Sequence, residues 1–281
     1  MDMIVLSTGN VSHEAQGPQD VGPDLARRAA AWADEPRAAA PAAPVRIGPP
    51  AVAPLVAPRG AAWDAEDDGR LELTAKIFFA WPAPGTAPAA AVAGRVAAAR
   101  AALAELALTA GQPKTVDILV LSFPEIVFSP DDEDDADEGA LLAAVSDTWL
   151  GVTRAPEAAG VARFAVAEFS TARLAALVAF CAAQSCPRPA LNQINVRDCC
   201  ALPPSLLELA KTADVKLVAH NDAFDVLPQT AVAGVLAPVL AACPALPAAG
   251  WAWAWLVKAT VIVTNRGVVA ANGWIAGFSH Q

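Results

Sequence analysis

The stretch Val116-Asp117-Ile118-Leu119-Val120-Leu121 is apolar at every position but one, and Gly111 and Pro113 precede it. Such a short, almost continuously apolar run is typical of a strand in a parallel sheet, because helices cover both faces of these sheets. The stretch therefore predicts a buried strand in a parallel α/β fold.

Strands and helices alternate along the chain on both sides of this strand. We predict strands over residues 3–7, 71–79, 116–121, 161–167, 191–196, 215–220 and 260–264. We predict helices over residues 24–33, 89–108, 140–157, 171–184 and 203–213, and an alanine-rich helix from about residue 222 to about residue 240. At least five such alternations in 281 residues favour a (β/α)8 TIM barrel, with degenerate units at its N-terminal end, over an open sheet.

The barrel interpretation predicts one domain over residues 1–281, and the composition argues against several classes of protein. An Ala/Pro-rich segment over about residues 16–70 has little periodicity, and residues 130–139 form an acidic loop. This loop holds seven of the 29 acidic residues, and the net charge of the chain is −10. Nucleic acid is disfavoured as a partner, because the chain has no excess of basic residues to bind phosphates. The 55% hydrophobic content excludes disorder of the whole chain.

Neither a signal peptide nor a membrane span is predicted. The N-terminus has an acid at Asp2 and no basic region before a long apolar run. Residues 229–257 carry no charge and are long enough to cross a bilayer, but prolines and glycines interrupt them, so buried helices are the better interpretation. Five cysteines, an odd number, suit a reducing compartment, and we expect a cytoplasmic protein.

Polar residues follow the predicted strands, where parallel folds place their chemistry. The candidates are Lys76, Ser122, Glu168, Gln193, Asn195, Cys199, Cys200, His220, Asn221, Asp222, Asn265 and Arg266. No Gly-rich phosphate loop follows any strand, and the scattered histidines and adjacent Cys199 and Cys200 predict no metal site. Lys76 is either a structural cation paired with Asp117 or Asp222, or part of an active site.

Several motifs resemble one known family, the regulatory (modifier) subunits of glutamate–cysteine ligase. They are Asn192-Gln193-Ile194-Asn195 with Cys199-Cys200, Leu202-Pro203-Pro204-Ser205-Leu206, Val218-Ala219-His220-Asn221-Asp222, and Val261–Val269 followed by Asn272-Gly273-Trp274-Ile275. Thr8-Gly9-Asn10 and Ala75-Lys76-Ile77-Phe78 fit the same pattern. The resemblance covers roughly Leu71 to Phe278.

That family is itself similar to the aldo-keto reductases, NADPH-dependent barrels in which a tyrosine protonates the carbonyl. By this resemblance Lys76 takes the position of the reductases' lysine, and Ser122 replaces their histidine. The chain contains no tyrosine at all. Without a positioned proton donor, roughly 10²–10⁴-fold of acid catalysis is lost. The resemblance therefore implies a protein that is not an enzyme, with Lys76 and Ser122 as vestiges.

The dinucleotide contacts that the resemblance implies are also eroded. A Ser-Asn pair of the reductases falls at Ala167-Glu168, and His220 replaces an aromatic ring that stacks on nicotinamide. Gln193 is retained, and Arg266 remains near the phosphate loop. We expect no cofactor, with residual NADP(H) binding left open.

The resemblance implies a non-catalytic regulatory subunit that binds the catalytic subunit of glutamate–cysteine ligase, improves glutamate use and relaxes feedback inhibition by glutathione. The candidates for contact with that partner are Asn195, Cys199, Cys200, Asn221 and Asp222. Capping of buried loops explains the last two equally well, and Cys199 and Cys200 are either half-buried thiols or a redox-sensitive link. The alternatives are an NADPH-dependent carbonyl reductase that uses Glu168 or His220, and a scaffold with no ligase partner.

Overall fold

Strands of both orientations and flanking helices make up the protein, which confirms the predicted α/β class. The computed structural model describes residues 3–8, 21–33, 45–47, 71–110, 116–129, 138–195, 202–265 and 267–280. The chain divides into two compact units. The terminal unit comprises Met1–Leu73, Glu105–Lys114 and Asp222–Gln281, and the central unit comprises Thr74–Ala104 and Thr115–Asn221. The prediction of a single domain stays a prediction.

Strands and helices follow one another along the described residues. The strands are β1 (Met3–Ser7), β2 (Val45–Ile47), β3 (Leu71–Phe79), β4 (Val116–Ser122), β5 (Val161–Ala167), β6 (Leu191–Asn195), β7 (Lys216–His220), β8 (Trp251–Val263) and β9 (Val268–His280). The helices are α1 (Gly22–Ala33), α2 (Pro88–Ala110), α3 (Gly139–Thr153), α4 (Thr171–Gln184), α5 (Pro204–Thr212) and α6 (Val232–Ala242). Short 3₁₀ turns lie at Pro156–Gly160 and Gln229–Ala231.

The central unit is built on a parallel sheet in the order β3-β4-β5-β6-β7. All five strands were predicted within a residue or two. One face of this sheet carries a small apolar cluster, Ile118, Val120, Ala165, Ala167 and Leu191, with Val218 against it. Because neighbouring residues in register point to the same side of a sheet, every second residue of each strand belongs to this face.

Helices cover the opposite face of the central sheet. The indole of Trp149 on α3 is fully buried and meets the ring of Phe164 on β5 edge-on, with ring centroids 6.0 Å apart. The ring of Phe123, just after β4, lies 5.2 Å from that of Phe79 and 6.4 Å from that of Phe169. Aromatic burial of this kind supplies much of the packing energy of a core.

The terminal unit contains the strand order β2-β1-β9-β8. β1 is parallel to β2 and antiparallel to β9, and β8 and β9 form a long antiparallel hairpin. Gly267 closes the hairpin turn at a φ of +65°, and its N–H donates to the carbonyl of Val263 at 2.8 Å. Trp255, Trp274 and Phe278 are fully buried in this unit.

The hairpin corrects two predictions. Residues 251–257 were predicted as part of a buried helical region, but they form the first half of β8. The alternation of Trp251-Ala252-Trp253-Ala254-Trp255 has the period of two that a strand requires, and the alanine-rich residues before it masked that period. β9 was not predicted at all, because the predicted series of strands ended at residue 264.

The end of α3 corrects a third prediction. The helix was expected to run to residue 157, but it ends at Thr153 and a 3₁₀ turn begins at Pro156. Ala155 has an extended backbone (ψ 140°), as a residue before proline prefers. The helix over residues 24–33 is confirmed as α1, whereas most of the remaining segment 16–70 and of the acidic loop lies outside the described residues. None of the described helices has the length and apolarity that a bilayer crossing requires.

Candidate functional site

The register of the central sheet brings five sequence-predicted residues to one face. Lys76 pairs with Val120, and Ser122 pairs with Phe78. Gln193 pairs with Ala167, and His220 pairs with Asn195. We call this side the Lys76 face, and it is the side that carries the small apolar cluster.

Lys76 is buried, with 3% of its surface exposed. Its Nζ lies 5.0 Å from the ring centroid of Phe78, two residues further along the same face of β3. An ammonium at this distance from an aromatic ring gains a favourable cation–π interaction. The role of Lys76, as structural cation or as part of an active site, stays a prediction with both alternatives.

Glu168 follows β5 directly and is the centre of the hydrogen bonds at this edge. Its Oε2 accepts from the backbone N–H of Phe128 at 3.3 Å, and its Oε1 accepts from the backbone N–H of Asn195 at 3.2 Å. The same Oε1 contacts Nε2 of His220 at the end of β7. One carboxylate thus ties the loop after β4 to the ends of β6 and β7, and only 9% of the residue is exposed.

The backbone at Glu168 is set by its neighbours on β6. Its φ is +68°, a left-handed conformation that is unfavourable for a glutamate, and its N–H donates to the carbonyl of Gln193 at 2.8 Å. The next residue, Phe169, is held by the fully buried side chain of Asn192. The Asn192 amide donates to the Phe169 carbonyl at 2.9 Å and accepts from the Phe169 N–H at 3.3 Å.

Arginines fix the loop that follows β4. Arg173, near the start of α4, donates through Nη1 to the carbonyl of Val127 at 3.1 Å and through Nε to both carboxylate oxygens of Glu138 at 3.0 and 3.1 Å. Arg95 on α2 pairs with Glu125 of the same loop. Both arginines are buried, so this loop and the Phe128 N–H that it offers to Glu168 have defined positions.

The two remaining described partner candidates differ in exposure. Asn221 is exposed at the end of the central unit. In the terminal unit the carboxylate of Asp222 is buried and accepts a hydrogen bond from Nζ of Lys258 at 2.7 Å. The Lys258 ammonium also lies 5.4 Å from the ring centroid of Trp274. Asp222 therefore has a structural partner within its own unit.

Some sequence candidates lie outside the described residues, namely Cys199, Cys200 and Arg266. Asn265 is exposed in the hairpin turn. Sequence reasoning missed Lys258, Asn192 and Arg173. The available signal for Lys258 was its position as the lone lysine of the apolar strand Trp251–Val263. The signal for Arg173 was weak: it follows Ser170, the residue that caps α4, by three positions.

A proton can pass between the carboxylate and the imidazole of the Glu168–His220 pair, as in many sites of acid–base chemistry. Two backbone N–H donors and the imidazole contact already occupy Glu168, against about four lone-pair positions on a carboxylate, so much of its acceptor capacity serves the fold. Within the residues that the structure describes, no three His, Cys, Asp or Glu side chains lie together as a metal site would require.

Comparison with known proteins gives partial similarities to one group of curated proteins. Proteins named glutamate–cysteine ligase regulatory subunit from Mus musculus and Homo sapiens are each 34% identical to the chain over 88 residues. This match covers 31% of the chain and 31% of each relative. A putative glutamate–cysteine ligase regulatory subunit from Schizosaccharomyces pombe is 26% identical over 170 residues, 57% of the chain and 56% of that relative. No family model matches the chain.

Proposed function

We propose that the protein is a non-catalytic regulatory subunit of glutamate–cysteine ligase that binds the catalytic subunit as a heterodimer in the cytoplasm. The similarity to curated regulatory subunits is the observation that carries the proposal, and their names support a regulatory role. The complete absence of tyrosine supports a role without reductase catalysis. Free thiols at Cys181, Cys186 and Cys243 suit a reducing compartment.

The proposed activity is a change in the behaviour of the partner: better use of glutamate and weaker feedback inhibition by glutathione. Physically this is a coupling free energy, because the chain must bind the more active conformation of the catalytic subunit better than the less active one. A coupling of about 1–3 kcal/mol corresponds to roughly 5- to 150-fold changes in affinity.

The experiment mixes the purified chain with the catalytic subunit and measures the rate against glutamate and glutathione concentrations. We expect co-elution, a lower KM for glutamate and a higher inhibition constant for glutathione. Asn221→Ala tests the exposed contact candidate, and Gln184→Ala at the opposite end of the strands is the matched control. Unchanged kinetics together with separate elution would refute the proposal.

We propose further that the central sheet belongs to a (β/α)8 barrel of the aldo-keto reductase type. The five parallel strands and the alternating helices support this fold. So does the Lys76 face, which combines polar residues at strand ends with small apolar side chains. An experimental structure in which the strands form an open sheet would contradict it.

The Glu168–His220 contact favours a second candidate function, an NADPH-dependent carbonyl reductase. In that case the pair would supply the proton that hydride transfer requires, in place of the missing tyrosine. NADPH titration followed by the fluorescence of the eight tryptophans, with an aldehyde assay, tests it. Saturable quenching and turnover that Glu168→Gln abolishes would establish the reductase; the absence of turnover would exclude it.

A further inference from the structure

The C-terminus of α4 brings two cysteines together. Ser185 ends the helix in the left-handed conformation (φ 51°, ψ 43°), and the N–H of Cys186 donates to the carbonyl of Cys181 at 3.1 Å. This six-to-one hydrogen bond defines a Schellman motif, in which Cys181 is the third residue from the helix end and Cys186 the second residue beyond it. Side chains at these two positions commonly touch, and here both carry thiols.

The two thiols differ in burial. Cys181 is 1% exposed, whereas Cys186 is partly exposed. Burial raises the pKa of the Cys181 thiol to about 12, and its hydrogen-bonding contact with the Cys186 thiol acts in the same direction. At neutral pH Cys181 is therefore protonated and shielded, and Cys186 is the thiol that a solute reaches first.

The surroundings hold this arrangement in place. The Trp149 indole donates to the carbonyl of Pro187 at 2.9 Å, so the residue after Cys186 is tied to α3. The carbonyl of Gln184 accepts from Arg154 Nη2 at 2.9 Å. Contacts from α3 and the residue that follows it thus fix the chain on both sides of Ser185.

We propose that Cys181 and Cys186 are a dithiol site that low-molecular-weight disulfides oxidise reversibly to an intrachain disulfide. The dithiol does not depend on the proposed ligase partner, and it does not involve Cys199 or Cys200.

The reaction consists of two exchange steps. The Cys186 thiolate attacks one sulfur of the small disulfide, an S–S bond forms to Cys186, the original S–S bond breaks and one small thiolate leaves. The Cys181 sulfur then attacks the Cys186 sulfur of the mixed disulfide, and the second small thiolate leaves. The protein dithiol is oxidised by two electrons, and the two protein protons pass to the two released thiolates. Enforced proximity makes the second step fast despite the poor ionisation of Cys181.

The test uses the full chain carrying Cys199→Ser and Cys200→Ser, treated with 2-hydroxyethyl disulfide and analysed by mass spectrometry without reduction. We expect a mass loss of two hydrogen atoms and a peptide cross-linked between Cys181 and Cys186. Adding Cys186→Ser should prevent the reaction. Adding Cys181→Ser should instead trap one mixed disulfide at Cys186, since no second thiol releases it.

Cys243→Ser is the matched control, because Cys243 is also a buried free thiol and its removal should leave the cross-link unchanged. If Cys181→Ser impairs folding, the peptide map of the parent chain alone decides the matter. A stable mixed disulfide in the parent, or no reaction at Cys186, would overturn the proposal.

Discussion

The central parallel sheet and the terminal hairpin hold their strands in different ways. The carboxyl ends of β5, β6 and β7 meet at the side chain of Glu168, which hydrogen bonds and an imidazole contact connect to three segments. The hairpin has strands of 13 residues, and in the half away from its turn the Trp255 indole lies directly on Gly277. Polar contacts thus fix the central sheet, and close packing fixes the hairpin.

This difference separates two kinds of sensitivity to mutation. A region fixed by hydrogen bonds loses stability when one polar atom is removed and its partners remain buried. A region fixed by close packing loses stability when an atom is added. Substitutions in the two regions can therefore be chosen so that the outcomes show which description holds.

The largest effect is expected at Gly277 in the hairpin. A Cβ there would lie 2.3 Å from Cε2 of Trp255, so Gly277→Ala forces a buried indole to move and should cost about 3 kcal/mol. Gly234→Ala in α6 is the control, because open space surrounds that position and alanine should gain up to about 1 kcal/mol. Urea unfolding measures the stability of both variants. Equal stabilities of Gly277→Ala and Gly234→Ala would show that the hairpin is not closely packed.

Glu168→Ala tests the central sheet. It removes the acceptor of two backbone N–H groups and the partner of His220, and we expect a loss of about 2 kcal/mol in the free energy of unfolding. Glu168→Asn should recover part of this loss, since asparagine tolerates a positive φ better. Glu208→Ala, on the exposed side of α5, should change stability by less than about 0.5 kcal/mol. Equal losses for Glu168→Ala and Glu208→Ala would contradict the central role of Glu168.

The Cys181 thiol predicts an alkaline loss of stability in the central unit. Burial, with the Cys186 contact, raises its folded-state pKa to about 12, whereas in the unfolded chain it ionises near its ordinary value of about 8.5. Its contribution is complete below the unfolded pKa and declines as pH rises towards 12, with a slope of at most about 1.4 kcal/mol per pH unit. The free energy of unfolding, measured at about pH 8 and about pH 10, should show this decline in the unsubstituted chain and a smaller decline in Cys181→Ala. Identical pH profiles would refute it.

The smallest effect is expected at the exposed pair Arg100–Glu157. Both arginine–carboxylate distances are 2.9 Å, and the hydrogen bonds from Arg100 lower the pKa of Glu157. The pair's contribution is therefore present above the unfolded pKa of the carboxyl and is lost as pH falls through the folded value. Arg100→Ala should lower the melting temperature slightly at about pH 7 and low salt, with no difference in strong salt. A large, salt-independent change would show that the pair is more than a surface contact.

The central sheet was predictable from the sequence because apolar strands such as β4 and β5 alternate with helices along the chain. β5 and α4 were predicted with the bounds that the structure gives. β8 was not, because alanine is compatible with helix and strand alike, and only the tryptophans at every second position carried the strand period.

The site was predictable in part for a similar reason. A carboxylate, an amide and an imidazole at successive strand ends indicated that Glu168, Asn195 and His220 belong to one edge. The backbone N–H of Phe128 was not predictable, because it depends on a loop that Arg95 and Arg173 hold from two different helices. Pairing of Asp222 with Lys258 required knowing that residues 251–263 form a strand.

Asn192 has a consequence for how substitutions spread through the central unit. Its amide bonds both backbone groups of Phe169, so it acts as one extra peptide unit that lengthens the pairing of β5 and β6 by a residue. Asn192 belongs to the helix-covered side, yet the residue it restrains is the neighbour of Glu168. Asn192→Leu, which keeps nearly the same side-chain shape, would therefore act across the sheet and displace the Glu168 carboxylate on the Lys76 face.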